Sequence, residues 1–247
     1  MTNSKYISST SNEHIKNLKK LHSKKYRDLT NQFLVSGEHL VQEALKKGIV
    51  VEILDSSKES KYYFFNNTYK VSHHIIEYLS ETITPQSVIA LCDKTLLKNT
   101  RLNKVIALNN LQDPGNVGTI IRLAKSFDFD TVIIENLDPF NDKVIRSSQG
   151  ALFDINIITT KDLKEYLGNL KSKNFKIYAT LLDKDSKALN EVNFLKENIV
   201  IVFGNEGSGI YQNIIELTDE KVYIPISFES LNVACCASII LNKVRNG

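Results

Sequence analysis

Apolar positions along this chain alternate between helical spacing and short continuous runs, and their order predicts a mixed α/β protein. Over residues 12–22, Ile15, Leu18 and Leu21 recur at three-residue spacing, as on one face of a helix. Residues 32–36 form an apolar run after Asn31 and read as a strand. A second helix over 38–47 ends at Gly48, followed by a strand at 49–54, a short helix at 75–80 and a strand at 87–92. The polar stretch 93–104, DKTLLKNTRLNK, is the linker candidate. It places a boundary near residue 98, with one domain over 1–98 and another over 99–247.

Beyond that boundary strands and helices alternate. Strands are expected at 105–108, 131–134, 155–159, 176–181, 198–203 and 221–226, and helices at 117–127, 142–150, 162–172, 210–217 and 231–244. This alternation predicts a parallel sheet covered on both faces. Ligands of open α/β sheets bind outside the carboxyl ends of the strands, and the unusual loops of this sequence fall there. No internal repeat or low-complexity segment is visible.

Composition narrows the class. The chain has 247 residues, 42% apolar and 24% charged, enough to bury a core and to exclude disorder as its main state. No apolar run approaches a membrane span, and the N-terminal MTNSKYISSTSNEH lacks a signal-peptide core, so a cytoplasmic protein is expected. Cys92, Cys235 and Cys236 form neither a CxxC pair nor a metal-ligand spacing. No metal is expected, and the cysteines read as small buried hydrophobes. Charge is uneven. The net is +3 overall, but residues 1–100 hold 14 basic and 10 acidic side chains, a net of +4. Lys16, Lys19, Lys20, Lys24, Lys25 and Arg27 cluster in HIKNLKKLHSKKYR without an acid. Such a cluster can neutralise the phosphates of a nucleic acid. A solvated helix face gives the same pattern.

Four segments carry candidate chemistry. In DPGNVGTIIR (113–122), Pro114-Gly115 suits a type II turn, Asn116 stands at a helix N-cap position, and Arg122 flanks the apolar stripe. GNEGSG (204–209) follows a strand; its glycines let backbone approach a ligand, and Glu206 sits inside it. It is neither a P-loop nor GxGxxG, which argues against a dinucleotide oxidoreductase. In YIPISFESLNVACCASIIL (223–241), Ser230 can cap a helix that is apolar nearly all round, as at a subunit interface. KVIRSSQGALF (143–153) gathers Arg146, Ser147, Ser148 and Gln149, a set able to touch phosphate or ribose and equally able to end a helix.

Taken in order, DPGNVGTIIR, VFGNEGSG and IPISFESLNVA resemble the three signature motifs of the SpoU (TrmH-like) branch of the SPOUT methyltransferases, over roughly residues 104–245. KVIRSSQGALF resembles a recurrent segment of that branch, and the first hundred residues resemble its small, ribosomal-protein-like substrate-binding domain. The resemblance implies an α/β fold with a deep trefoil knot. It implies methyl transfer from S-adenosylmethionine to a ribose 2′-OH of ribosomal RNA or transfer RNA, and a homodimer joined through the last helix. Asn116, Arg122, Glu206, Ser230 and Asn232 match its catalytic positions. Leu181, Gly204, Asn205, Gly209, Ile224 and Leu231 would hold the cofactor. The basic cluster and Arg146 would dock RNA. Ribosomal RNA is favoured over transfer RNA because of the N-terminal domain. Arg122 is implied either as general base or as a group that binds phosphate and stabilises an alkoxide. A catalytically inactive RNA-binding protein and a base methyltransferase are the alternatives. Two positions depart from the pattern: the stretch between Pro225 and Glu229 is only ISF, and Ala234 stands where serine is common.

Overall fold

The structure is a computed structural model that describes residues 6–227 and 229–247. Phe228, in the short ISF stretch, lies outside the described residues. The chain divides into two compact units. One comprises the described residues up to Lys98 together with Phe140–Phe153; the other comprises Asn99–Pro139 and Asp154–Gly247.

The first unit runs β1 (Tyr6–Ile7), α1 (Glu13–Lys20), α2 (Lys24–Thr30), β2 (Gln32–Ser36), α3 (Glu38–Lys46), β3 (Val50–Asp55), β4 (Thr68–Val71), α4 (His73–Leu79) and β5 (Val88–Asp93). Its sheet has the order β1-β4-β3-β5-β2, with β5 antiparallel to both β3 and β2. Ile15, Leu18, Leu54, Ile75, Ile76 and Ile89 form one core, and α3 buries Leu40, Val41 and Ala44. The single helix expected over 12–22 is two helices. The chain turns at Leu21–Ser23, where the Arg27 guanidinium donates to the carbonyls of Leu21 (2.6 Å) and His22 (2.8 Å). Strand β4 has no counterpart in the sequence reading; four residues between polar neighbours leave too short a period to register.

The second unit contains β6 (Lys104–Asn109), α5 (Pro114–Ser126) and β7 (Thr131–Glu135). The chain then supplies α6 (Asp142–Ser148), which belongs to the first unit. Phe140 and Phe153, at the two ends of that segment, set their rings 4.8 and 6.2 Å from Phe33 of β2, and this aromatic anchor ties it there. The second unit continues with β8 (Asn156–Thr160), α7 (Leu163–Ser172), β9 (Lys176–Thr180), β10 (Lys187–Ala188), β11 (Ile199–Gly204), α8 (Gln212–Ile215), β12 (Glu220–Tyr223) and α9 (Val233–Asn246). Its seven strands lie in the order β10-β12-β9-β11-β6-β7-β8, all paired in parallel, as the alternation predicts. Val105, Ala107, Val200 and Val202 face the core under α7 and α8, and the alternate residues meet the layer of α5 and α9.

Two helix starts differ from the sequence reading. Pro114 and Gly115 open α5 instead of forming a type II turn, because Asp113 caps it by accepting from Gly115 N–H at 3.0 Å; proline suits a first helical position. Asn116 is thus two residues inside the helix. Helix α9 is capped by Asn232, whose Oδ1 accepts from Ala234 and Cys235, and not by Ser230. Nor is α9 buried on every side within one chain. It buries Ala234, Ala237, Ile240, Leu241 and Val244, while Cys235 is exposed and Ile239 is 42% exposed. Of the three cysteines only Cys92 is the buried hydrophobe expected; Cys236 is half-buried.

Candidate active site

In sheet order the chain runs outward from β6 through β7 to β8 on one side, and β11, β9 and β12 lie on the other. The reversal falls between β6 and β11, the place where such sheets open a crevice. The register Phe203↔Leu108 and Gly204↔Asn109 brings the loops after these two strands side by side.

The loop after β11 has a fixed shape. A Cβ on Gly204 would lie 2.4 Å from the Gly209 carbonyl carbon and 2.5 Å from Ile210 N, so only glycine lets the loop fold back here. Gly209 has φ +68°, the left-handed region. Reciprocal bonds, Asn205 N to Gly209 O at 2.9 Å and Gly209 N to Asn205 O at 3.0 Å, close the tip that carries Glu206. The Asn205 side chain, expected at a cofactor, is committed to the backbone. It accepts from Gly207 and Ser208 N–H and donates to Asn110 O at 2.8 Å. Beneath the loop, fully buried Asn109 donates to Glu135 at 2.6 Å and accepts from Tyr211 N–H at 2.8 Å; Glu135 also accepts from Leu163 N–H. The sequence reading missed this pair. Its signal is a polar residue closing the apolar run of each of two strands, VIAL before Asn109 and VII before Glu135.

Above that base, three distant segments meet in one hydrogen-bonded chain. Asn116 Nδ2 donates to Glu206 Oε1 at 2.9 Å, and Asn232 Nδ2 donates to Asn116 Oδ1 at 3.1 Å. Asn232 Oδ1 in turn accepts from the first amides of α9. The direction is forced. An ionised carboxylate only accepts and helix N–H groups only donate, so each asparagine between them has one allowed amide orientation. Burial pushes the Glu206 carboxyl up, but bonds from the Asn116 amide and from the backbone N–H groups of Glu206, Gln112 and Asp113 outweigh it. They hold the group below its ordinary range. Glu206 is therefore a fixed negative charge and not a base poised near neutrality.

Arg122 is not part of this chain of bonds. It stands six residues beyond Asn116, about 9 Å along the axis of α5 and ~120° around it. It is exposed, and its guanidinium forms no hydrogen bond or ion pair with the described residues. Beside the asparagines opens a cavity of about 480 Å³ at the carboxyl ends of β9 and β12. Leu181, Ile224, Ser230 and Leu231 line it, joined by Tyr223 and Ile240. Gly204, Asn205 and Gly209 do not line it.

In the first unit, Lys16, Lys20, Lys24 and Lys25 are exposed. Lys24 pairs with Asp28 at 2.8 Å, and Lys19 donates to Tyr78 O at 2.6 Å and lies over that ring. Arg27 departs from the expectation of an RNA contact. It is buried at 6% exposure and clamps the turn between α1 and α2. Arg146 donates from Nε to Asp142 at 2.6 Å. Among the described residues no helix is long and apolar enough to cross a membrane.

Residues 103–242 match the model of the SpoU rRNA methylase family, and residues 12–90 match that of an MRM3-like substrate binding domain. Over 249 aligned residues the chain is 38% identical to the 23S rRNA (guanosine(2553)-2′-O)-methyltransferase RlmP of Bacillus subtilis, covering 98% of this chain and 99% of that protein. The structure of a putative RNA methyltransferase of the TrmH family from Porphyromonas gingivalis superposes with a TM-score of 0.84 at 27% identity, over 95% of this chain and 98% of that one. An AdoMet-bound rRNA methyltransferase from Sinorhizobium meliloti shares the fold, with a TM-score of 0.84 at 24% identity over 98% and 97% of the two chains.

Proposed function

The chain belongs to the SpoU rRNA methylase family, and from that premise we propose that it transfers a methyl group from S-adenosylmethionine to a ribose 2′-OH of ribosomal RNA. The observation that carries this reading is the chain of bonds Glu206–Asn116–Asn232 beside the 480 Å³ cavity, since it joins the three motif segments at the carboxyl end of one sheet. The cavity suits an adenosyl group in size and lining. Leu181, Ile224, Leu231 and Ile240 give apolar walls, and the strand ends at Thr180 and Tyr223 give backbone polar groups. When bound, S-adenosylmethionine supplies an electrophilic methyl on a sulfonium; the protein supplies position and electrostatics.

Each side chain then has a task. Glu206 stays ionised and locks the Asn116 amide. Asn232 locks the other end of that amide and starts α9, so wall and network are one rigid piece. Ser230 borders the cavity on the side of Asn232. Arg122 keeps its proton, because guanidinium is effectively always charged. Its exposed fork suits the phosphate beside the target ribose and stabilises the alkoxide as the 2′-OH loses its proton to solvent water.

The wider reading rests on the same likeness. Residues 1–98 act as the RNA-binding domain and 99–247 as the transferase domain, with the segment around α6 lent to the first. The exposed Cys235–Ile239 face of α9 is the homodimer surface, and the knot comes with the family's fold. Lys16, Lys20, Lys24 and Lys25 meet RNA phosphates, and the protein works in the cytoplasm with its substrate. Ribosomal RNA is favoured by the RlmP likeness, which covers nearly the whole of both chains.

The test is incubation of pure protein with methyl-labelled S-adenosylmethionine and total RNA from a strain lacking the gene. Label in ribosomal RNA, at phosphodiester bonds that resist alkali, is the expected result. Label in transfer RNA moves the substrate. Alkali-sensitive label means base methylation. No label with intact cofactor binding favours an inactive RNA-binding protein.

A further inference from the structure

The methyl-transfer reading leaves unused a second cavity, about 490 Å³, in the first unit. Its walls are the turn into α3 (Gly37, His39), the loop before β5 (Thr84, Gln86) and the end of α6 (Arg146, Ser147). The cavity is built, not incidental. Gly37 has φ +97°, and a Cβ there would sit 2.9 Å from Gln86 Oε1, which accepts from Glu38 N–H at 2.7 Å. Gly150 has φ +88° and lets the chain after α6 press on Glu43 of α3, with a Cβ distance of 2.9 Å. The two glycines hold three separate segments around one space.

Its chemistry is one-sided. No carboxylate lines it. Asp142 takes the Nε of Arg146 at 2.6 Å and so orients the guanidinium plane; the terminal nitrogens have no partner among the described residues. The Gln86 amide nitrogen and the hydroxyls of Thr84 and Ser147 likewise have no hydrogen-bond partner among the described residues. A planar cationic fork with amide and hydroxyl groups around a space of this size matches one phosphate and one base edge. A duplex does not enter such a space, whereas an unpaired base can be splayed into it.

We propose that this cavity is an RNA subsite that takes one unpaired nucleotide, its phosphate on Arg146 and its base edge on Gln86, Thr84 and Ser147. The inference rests on the reading that the substrate is RNA, and it adds a contact that selects for single-stranded structure.

The test compares wild type, Arg146→Ala and Thr84→Trp, using ribosomal RNA isolated from a strain lacking the gene. Filter binding is measured across a salt series, with methyl transfer alongside. Arg146→Ala should weaken RNA binding about tenfold to a hundredfold. It should also flatten the plot of log affinity against log salt by ~0.7, one phosphate contact on a single strand. Thr84→Trp fills the cavity from an exposed position. It should weaken binding about tenfold with the salt slope unchanged, as expected for losing one held base. Thr84→Trp carries the test alone if Arg146→Ala fails to fold. Wild-type affinity and slope in both variants overturn the subsite. If wild type labels RNA and both variants keep its KM, the subsite fails and the methyltransferase reading stands. If wild type labels nothing while Thr84→Trp still weakens binding, the subsite stands and the methyltransferase reading fails.

Discussion

Replacing Asn116 by aspartate keeps the shape of the site and reverses its logic. The Asn116 amide donates to Glu206 at 2.9 Å; the variant sets two carboxylates face to face. Charge centres about 4 Å apart repel by ~1 kcal/mol in water and ~4 kcal/mol at an effective dielectric of 20. Asn116 is half-buried and Glu206 exposed, so solvent screening brings the expected cost at neutral pH to about 1–3 kcal/mol. The sign with pH follows from the two pairs. In wild type the Glu206 carboxyl lies below its ordinary range, so its contribution is present above that range and is lost as pH falls through the folded value. In Asn116→Asp the pair shares a proton and one folded pKa is raised. The penalty is then absent in acid and grows as pH rises from about 4 to 7. Urea unfolding of both proteins across that range measures it directly. Methyl transfer should fall at least about tenfold at pH 8 and recover in part toward pH 6, where the shared proton restores a donor. A stability difference that is the same at pH 4 and pH 8, or full activity at pH 8, would refute the role given to the Glu206–Asn116 bond.

Other substitutions separate the remaining parts. Gly204→Ala forces a Cβ to 2.4 Å from backbone, so it should cost ~2–4 kcal/mol and lower the melting temperature by about 4–15 °C; a shift under about 1 °C contradicts the close approach. Arg122→Lys keeps the charge and loses the fork. It should lower kcat/KM by about tenfold to a hundredfold, whereas a fully active lysine enzyme shows that charge alone suffices. Ile239→Asp places a charge on the exposed face of α9 and should shift the protein to monomer in sedimentation equilibrium with the fold intact by circular dichroism; an unchanged dimer puts the interface elsewhere.

The two halves of the site were legible in the chain to different depths. The segments DPGNVGTIIR and VFGNEGSG stand out because glycine, proline and asparagine follow apolar strands, and the structure does set them at strand ends. The parallel sheet was legible too, since strands such as 199–203 and 132–134 are continuously apolar, as strands buried on both faces must be. Buried Asn109 and Glu135 were passed over, because nothing within ten residues of either shows that they face each other across β6 and β7. Arg27 misled for the opposite reason. It closes a run of lysines, most of them solvent-exposed, yet its own guanidinium is the clamp on a turn.

What the sequence determined by itself is local: the period of each element, the order of strands and helices, the excess of positive charge before residue 100, and the residue types at each strand end. Only the tertiary structure decided which of those residues share a bond. Asn116 meets Glu206 across 90 positions and Asn232 across 116, and Phe140 and Phe153 leave the flanking strands to pack on Phe33. The division has a physical cause. Periodicity and capping arise from contacts a few residues apart, so a short window records them. The partner of a polar side chain is set by strand order and register, and these depend on the burial of the whole sheet at once.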